Sequence, residues 1–135
     1  MASKLMPDLT APSLADIELL ARQAFATIPE ALARHVRDLP IRIEDFPDRE
    51  TEDEMELEDA FELLDLYRGV ALTRKAGAGS TAEPDLIFLY RRPILDYWCE
   101  TGDTLYAVIR HVLIHEIGHH FGLSDDDMER IETEA

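Results

Sequence analysis

The stretch TLYAVIRHVLIHEIGHHFGLSDDD, residues 104–127, contains the longest helical pattern in the chain. Its apolar residues recur every three or four positions and predict a long helix with one buried side: Leu105, Val108, Ile109, Val112, Leu113 and Ile117. We expect Asp103 to cap the start of this helix. Gly122 is expected to end it, because glycine readily adopts the positive φ common at helix ends. Ser124 then fits the cap of a final acidic helix.

The long helix carries the pattern HExxH. His115 and His119 are four residues apart, so they lie on the same face of a helix and can offer ring nitrogens to one cation at about 2.0–2.1 Å. Glu116 stands about 100° around the helix from His115. That position places its carboxylate beside a bound cation, where it can deprotonate water. The pattern therefore predicts a zinc site with Glu116 as the general base.

A third ligand has to come from outside the helix, because catalytic zinc sites usually combine three protein ligands with water. The turn expected at Gly122 can bring the following residues back towards the histidines. Asp125 follows three residues later, and carboxylate oxygen is an accepted zinc ligand. We expect His115, His119 and Asp125 to bind the metal. Asp126 is the alternative third ligand.

Other side chains are candidates for supporting roles. His111 lies one turn before His115, which makes it an alternative ligand, a supporting residue or a substrate contact. His120 is rotated away from His119. Four tyrosines can stabilise a developing oxyanion, although tyrosines with a bonded hydroxyl are common in protein cores: Tyr67, Tyr90, Tyr97 and Tyr106. From these candidates we select Tyr90, Tyr106 and His111 as oxyanion or substrate contacts.

The remaining chain alternates helical and strand patterns. Ser13 is a suitable cap for a helix that should stop or bend at Pro29, with residues 30–36 as a short second piece. Strands are predicted over residues 39–46, 63–73 and 85–90, with a bulge at Gly69 and a loop over residues 75–85. Pro93 is expected to open a short helix through Trp98. This order predicts an α+β domain over residues 13–135, with a small mixed sheet against the long helix and a flexible leader over residues 1–12.

Composition restricts the partners. The chain has 135 residues and a formal net charge of -16, which argues against binding to nucleic acid or to an anionic membrane surface. Eleven carboxylates lie between Glu44 and Glu62 with one basic residue, Arg49. They predict either a solvated loop leading into an exposed helix or a surface that attracts cations or inhibits the site.

Location is predicted from cysteine usage and from apolar segments. The single cysteine, Cys99, cannot form an intrachain disulfide and is expected to be a small buried residue. No apolar run approaches the roughly 20 residues needed to span a bilayer. A cytoplasmic protein is the expectation.

The extended pattern HExxHxxGxxD in HEIGHHFGLSDDD resembles the bacterial minimal zincin-like metallopeptidases, a metzincin-like group. The segments LYRGVALT and PDLIFLYRRPI are also similar to that family, and the resemblance covers roughly residues 13–130. It implies a compact zincin domain, zinc on the long helix and hydrolysis of peptide bonds, with the substrate left open. Full metzincins carry a methionine turn well after the third ligand. Met128 is too close to Asp125 for that role, so the floor of the site must be built differently.

The resulting hypothesis is a Zn²⁺-dependent peptidase acting on a peptide or protein substrate. Such a substrate can add alongside an exposed strand, which we expect to be residues 85–90. Two alternatives stay open: a non-catalytic interaction domain stabilised by metal, and a zinc hydrolase acting on a non-peptide amide. The sequence leaves the cleavage preference and the oligomeric state undetermined.

Overall fold

The computed structural model describes residues 10–34, 36–68 and 85–133. In chain order the described elements are α1 (Leu14–Phe25), α2 (Glu30–Ala33), β1 (Ile41–Glu44), α3 (Arg49–Glu54), β2 (Asp65–Arg68), β3 (Leu86–Tyr90), α4 (Arg91–Thr101), α5 (Leu105–His120) and α6 (Asp125–Thr133). The predicted leader up to residue 9, the bulge at Gly69 and most of the predicted loop lie outside these ranges.

The first helix begins where its cap was predicted. The Ser13 hydroxyl accepts a hydrogen bond from the Asp16 N–H, and the Asp16 carboxylate accepts one from the Ser13 N–H. This reciprocal pair satisfies donors that a helix start leaves without partners. The helix ends at Phe25 and the chain resumes a helical turn after Pro29, which confirms the predicted break.

The sheet has three strands in the order β1-β3-β2. The central strand, β3, pairs in parallel with β1 and antiparallel with β2. The prediction that residues 85–90 form the strand open to a substrate is therefore wrong. Both edges of that strand are already paired with neighbouring strands. Its short apolar run is typical of such a central strand. The free edges among the described strands belong to β1 and β2.

The core lies between one face of the sheet and the helices α1 and α5. Ile87 and Leu89 of β3 are fully buried there, together with Ile17 of α1 and Ile109 and Leu113 of α5. Strand residues alternate between faces, so Phe88 and Tyr90 lie on the face opposite α5. This mixed sheet packed on a long helix confirms the predicted α+β class.

The start of α5 differs from its prediction by one residue. Thr104 is the cap, and its hydroxyl accepts a hydrogen bond from the Ala107 N–H at 3.1 Å. Asp103 was expected in this role, but its backbone carbonyl instead accepts a hydrogen bond from the Trp98 indole. The hydroxyl of Thr104 stands three residues before a free helical N–H, which is the spacing that capping requires.

The short helix α4 begins at Arg91, two residues before the predicted start, and ends at Thr101. Pro93 fits within its first turn because the N–H groups there have no partner inside the helix. Cys99, predicted to be buried, is exposed. No described helix is long and apolar enough to cross a membrane.

The acidic segment is largely at the surface. Of its residues, Arg49–Glu54 form α3, and the Asp48 carboxylate caps this helix by accepting the Thr51 N–H at 2.7 Å. None of the eleven carboxylates is buried. The predicted exposed helix is confirmed over Arg49–Glu54, and the alternative of a surface that attracts cations or inhibits the site stays a prediction.

The turn between α5 and α6 brings the last helix back against the first. Gly122 has φ +76°, as predicted, and the Ser124 hydroxyl caps α6 by accepting the Asp127 N–H. Gly118 faces Met128 of α6, which is fully buried. The following helix approaches closely here because Gly118 has no side chain.

Replacing Gly118 with alanine should destabilise the protein. A β-carbon there would lie 2.7 Å from Cγ of Met128 and closer still to its sulfur. We expect a loss of about 1–2 kcal/mol in the free energy of unfolding, because overpacking outweighs the gain in helix propensity of about 1 kcal/mol. Chemical denaturation measures it.

The matched control is the same substitution in a Met128→Ala background. There the space is open, and Gly118→Ala should become neutral or stabilising. Equal losses in the two backgrounds would contradict the contact as the cause.

Candidate metal centre

Three histidines follow one face of α5 at intervals of four residues. The ring centroids of His111 and His115 are 4.1 Å apart, and those of His115 and His119 are 6.0 Å apart with the rings nearly perpendicular. The side chain of the middle histidine is the least exposed, at 29% for His115 compared with 45% for His111 and 62% for His119. His115 thus stands between two imidazole neighbours, each one helical turn away.

Asp125 is the first residue of α6, and its carboxylate faces the end of this row. Its Oδ1 atom lies 3.7 Å from Nε2 of His119. The side chain is 91% exposed, so it can rotate freely. Asp127, two residues later, instead accepts hydrogen bonds from the Ser124 N–H and from the Arg130 guanidinium. The turn at Gly122 thus places Asp125 beside His119.

A second carboxylate, which the sequence did not single out, lies at the other end of the row. Oε1 of Glu132 is 2.6 Å from Nε2 of His115 and 2.9 Å from Nδ1 of His111. Within the described part of the chain, these three residues form the group whose ligand atoms all lie within 4.8 Å of one another. His115, His119 and Asp125 are not gathered to that distance. The signal for Glu132 was its spacing: it stands seven residues after Asp125, on the same face of α6.

A buried arginine fixes Glu132 in place. Arg110 is 7% exposed, and its guanidinium donates to the backbone carbonyls of Ile131 at 3.1 Å and Glu132 at 2.8 Å. Its third hydrogen bond goes to the Thr27 hydroxyl. These carbonyls lie in the last turn of α6, where helices leave acceptors unsatisfied. Arg110 therefore anchors the end of α6 to α5 and to the segment after α1.

The Glu132 carboxylate is ionised beside the two histidines. Burial disfavours the ionised carboxylate, but the hydrogen bonds and charges of His111 and His115 outweigh it, so the pKa of Glu132 is lowered. The cluster therefore combines an ionised oxygen donor with two imidazoles, a set suited to borderline divalent cations.

Glu116 points away from the histidine row towards the sheet. Its Oε1 accepts a hydrogen bond of 2.9 Å from the Tyr67 N–H on β2. The Leu64 carbonyl accepts from the Tyr90 N–H, so by alternation the N–H groups of Asp65 and Tyr67 face the outer edge of β2. Glu116 thus lies against the outer edge of β2 in the described sheet, one residue from His115.

A second carboxyl group shares this edge with Glu116. Burial, and then the neighbouring Glu116 carboxylate, raise the pKa of Asp65 to about 8. Two close carboxyl groups do not both ionise readily, so Asp65 keeps its proton near neutral pH. Asp65 was not predicted as a site residue, because the contact joins β2 to α5 across 51 positions of sequence.

The histidine row opens into a cleft of about 270 Å³. Its walls are the segment Glu62–Asp65 and Tyr97 of α4, and its floor is His111, Val112, His115, Glu116 and His119. His111, which the sequence analysis selected as an oxyanion or substrate contact, lines this cleft. Tyr97 is 40% exposed at the same cleft.

The other tyrosines lie elsewhere. Tyr90 is on the opposite face of the sheet, where burial raises its pKa to about 12. Tyr106 stands nine residues before His115, about 180° around α5. The Tyr67 ring stacks on His120 at 3.5 Å between ring centroids, and its hydroxyl donates to Asp85. His120 is thus turned away from the row, as predicted.

The donor set fits zinc. Two imidazoles one turn apart and a carboxylate are accepted ligands, and donor atoms sharing a tetrahedral zinc lie roughly 3.3 Å apart given bonds of about 2.0–2.1 Å. The 3.7 Å separation of His119 and Asp125 is close to that value. Both side chains are largely exposed and can adjust by rotation.

An α+β domain that presents HExxH on a long helix, beside a mixed sheet and an open cleft, has the architecture of a metallopeptidase. The chain belongs to the zincin-like metallopeptidase family, whose sequence model matches residues 36–135. No curated protein matches the chain in sequence. The family assignment confirms the resemblance that the HExxHxxGxxD pattern indicated.

Replacing Asp65 with asparagine should change how stability depends on pH. The folded pKa of about 8 exceeds the ordinary value of 3.8, so the folded protein binds the extra proton between these values. Stability therefore falls as pH rises through this range. In Asp65→Asn, the decline in the free energy of unfolding between pH 5 and 8 should be shallower.

The measurement is urea denaturation of the chelator-treated protein at several pH values. Parallel profiles for the parent and the variant would contradict the raised pKa.

Proposed function

We propose that this protein is a zinc-dependent peptidase that hydrolyses peptide bonds with Glu116 as the general base. The observation that carries the proposal is the placement of Glu116, one residue from His115, in a cleft that also holds His119. Membership of the zincin-like metallopeptidase family supports it.

His115, His119 and Asp125 would hold the metal in this proposal. The 3.7 Å approach to His119 favours Asp125 over Asp126 as the third ligand. Zinc, when bound, supplies Lewis acidity that polarises a carbonyl and lowers the pKa of water to about 7. The net charge of -16 favours the approach of cations to the site.

Glu116 would accept the proton of the attacking water and then donate it to the leaving amine. Its carboxylate already has one partner, the Tyr67 N–H, which fixes its orientation. Asp65 places a second carboxyl group beside it. These contacts hold the base at the edge of the cleft rather than among the metal ligands.

The substrate would bind as an extended peptide along β2. The Tyr67 N–H is already donated to Glu116, but the Asp65 N–H and the carbonyls of Asp65 and Tyr67 also lie on this outer edge of β2. Main-chain hydrogen bonds to these groups would bring a peptide bond next to the base. His111 and Tyr97, which both line the cleft, are the proposed contacts to the substrate or to a developing oxyanion. We also propose a cytoplasmic location, because a single cysteine cannot form an intrachain disulfide.

Substituting Glu116 with glutamine should abolish peptide cleavage while zinc stays bound. Glutamine keeps the shape but cannot accept the proton, so the rate should fall by at least about 100-fold. Digestion of an unbiased peptide library by the zinc-loaded protein measures it, with bound zinc determined separately. A chelator should remove the activity of the parent protein.

Glu129→Gln is the matched control, because Glu129 is exposed on α6 outside the cleft. A Glu116→Gln protein that cleaves as fast as the parent would refute the assigned base. A parent protein that binds zinc and cleaves no peptide would favour a non-catalytic, metal-stabilised domain.

The identity of the third ligand can be tested by zinc affinity. Asp125→Asn should weaken zinc binding at least about tenfold, because it removes an anionic ligand. Asp126→Asn is the control at the adjacent position and should change affinity little. Competition with a chromophoric chelator measures both, and a larger loss in Asp126→Asn would assign the ligand to Asp126 instead.

A further inference from the structure

We propose that His111, His115 and Glu132 form a second divalent-cation position, alternative to the one formed by His115, His119 and Asp125. The two positions share His115, so one chain would hold a cation in either but not in both. The alternative character rests on the proposed function, because it takes the HExxH histidines as the catalytic ligands. The cluster itself is a feature of the fold.

The first observation is geometric. His111 and His115 form the same four-residue helical pair as His115 and His119, and Glu132 lies across both of its rings. The distances from Glu132 oxygens to the ring nitrogens are 2.6–3.0 Å. Donor atoms around one zinc ion are about 3.3 Å apart, given bonds of about 2.0–2.1 Å. The Glu132 oxygens would therefore need to move by only about half an ångström from the ring nitrogens to share an ion with them.

The second observation is that Glu132 is held in place. The Arg110 guanidinium donates hydrogen bonds to the backbone carbonyls of Ile131 and Glu132. One turn earlier in α6, Met128 packs against Gly118 of α5. The Glu132 side chain is 25% exposed, compared with 91% for Asp125. The carboxylate of the second position is thus more firmly placed than the one predicted for the first.

The sharing of His115 follows from the chemistry of imidazole. Nε2 of His115 is the atom closest to Glu132, and one ring nitrogen offers one lone pair to one cation. A cation bound with His111 and Glu132 therefore removes His115 from the set that includes His119. A cation held by His111, His115 and Glu132 would thus lie about one helical turn from the catalytic position and would be inactive there.

The test is zinc binding by variants that separate the two positions. His119→Ala disables the catalytic set and leaves the second position complete. This variant should still bind one Zn²⁺ per chain, more weakly than the parent but more tightly than His115→Ala. Adding His111→Ala or Glu132→Gln to it should weaken binding at least about tenfold more. Chelator competition gives the affinities, and the absorption spectrum of bound Co²⁺ reports the change of ligands.

Glu129→Gln in the same His119→Ala background is the matched control and should leave affinity unchanged. His119 is largely exposed, so the variant should fold, which circular dichroism checks; His119→Gln serves as a second variant. The proposal is overturned if His119→Ala binds zinc no better than His115→Ala, or if the added substitutions have no effect. It is also overturned if Glu132→Gln alone abolishes zinc binding, because Glu132 would then belong to a single site.

These outcomes are independent of the proposed peptidase activity. Loss of the second position would leave the effect of Glu116→Gln on cleavage unchanged. Conversely, a protein without peptidase activity can still show two zinc-binding positions in the affinity measurements.

Discussion

The close contact between α5 and α6 is the constraint on which the site depends. Gly118 lets the two helices approach because a side chain there would collide with Met128. Arg110 closes the other end by binding the carbonyls of Ile131 and Glu132. Between these two anchors, α6 presents Asp125 at one end of the histidine row and Glu132 at the other. One tight turn at Gly122 is thus enough to bring two carboxylates next to the histidines of α5.

The sheet serves the site through its edge rather than through its face. Its central strand supplies core residues, whereas β2 lies beside α5 and donates the Tyr67 N–H to Glu116. Asp65 on the same strand puts a second carboxyl group next to Glu116, and burial favours the protonated form of Asp65. The strand that orients Glu116 is therefore also an outer strand of the described sheet, along which we propose that an extended peptide binds.

The three histidines at intervals of four residues give the helix two overlapping pairs. A single histidine pair offers one position for a metal. Here His115 belongs to two pairs, one with His111 and one with His119, and a carboxylate of α6 lies beside each pair: Glu132 and Asp125, respectively. If both pairs bind a cation as we propose, access to His115 and His119 would depend on competition within the row. Such competition would be set by two carboxylates that differ greatly in exposure, Glu132 being held by the fold and Asp125 lying in solvent.

The sequence by itself determined what depends on local spacing. The spacing of the apolar residues predicted α5, and Ser13 and Ser124 predicted where two other helices begin. Gly122 predicted the turn after α5, and the HExxH pattern predicted the histidine pair and the adjacent glutamate. These features follow from hydrogen bonding and helix geometry within a few residues. The misplaced cap at Asp103 shows the limit of that reasoning, since two adjacent residues, Asp103 and Thr104, could both fill the role.

Only the tertiary structure decided the partners that are distant in sequence. The pairing of β3 between β1 and β2, the contact of Asp65 with Glu116, and the anchoring of Glu132 by Arg110 each join separate elements. No local pattern encodes them, because they arise from how helices and strands pack once their apolar faces are buried. The sequence thus determined which groups can bind a metal, and packing decided which of them meet.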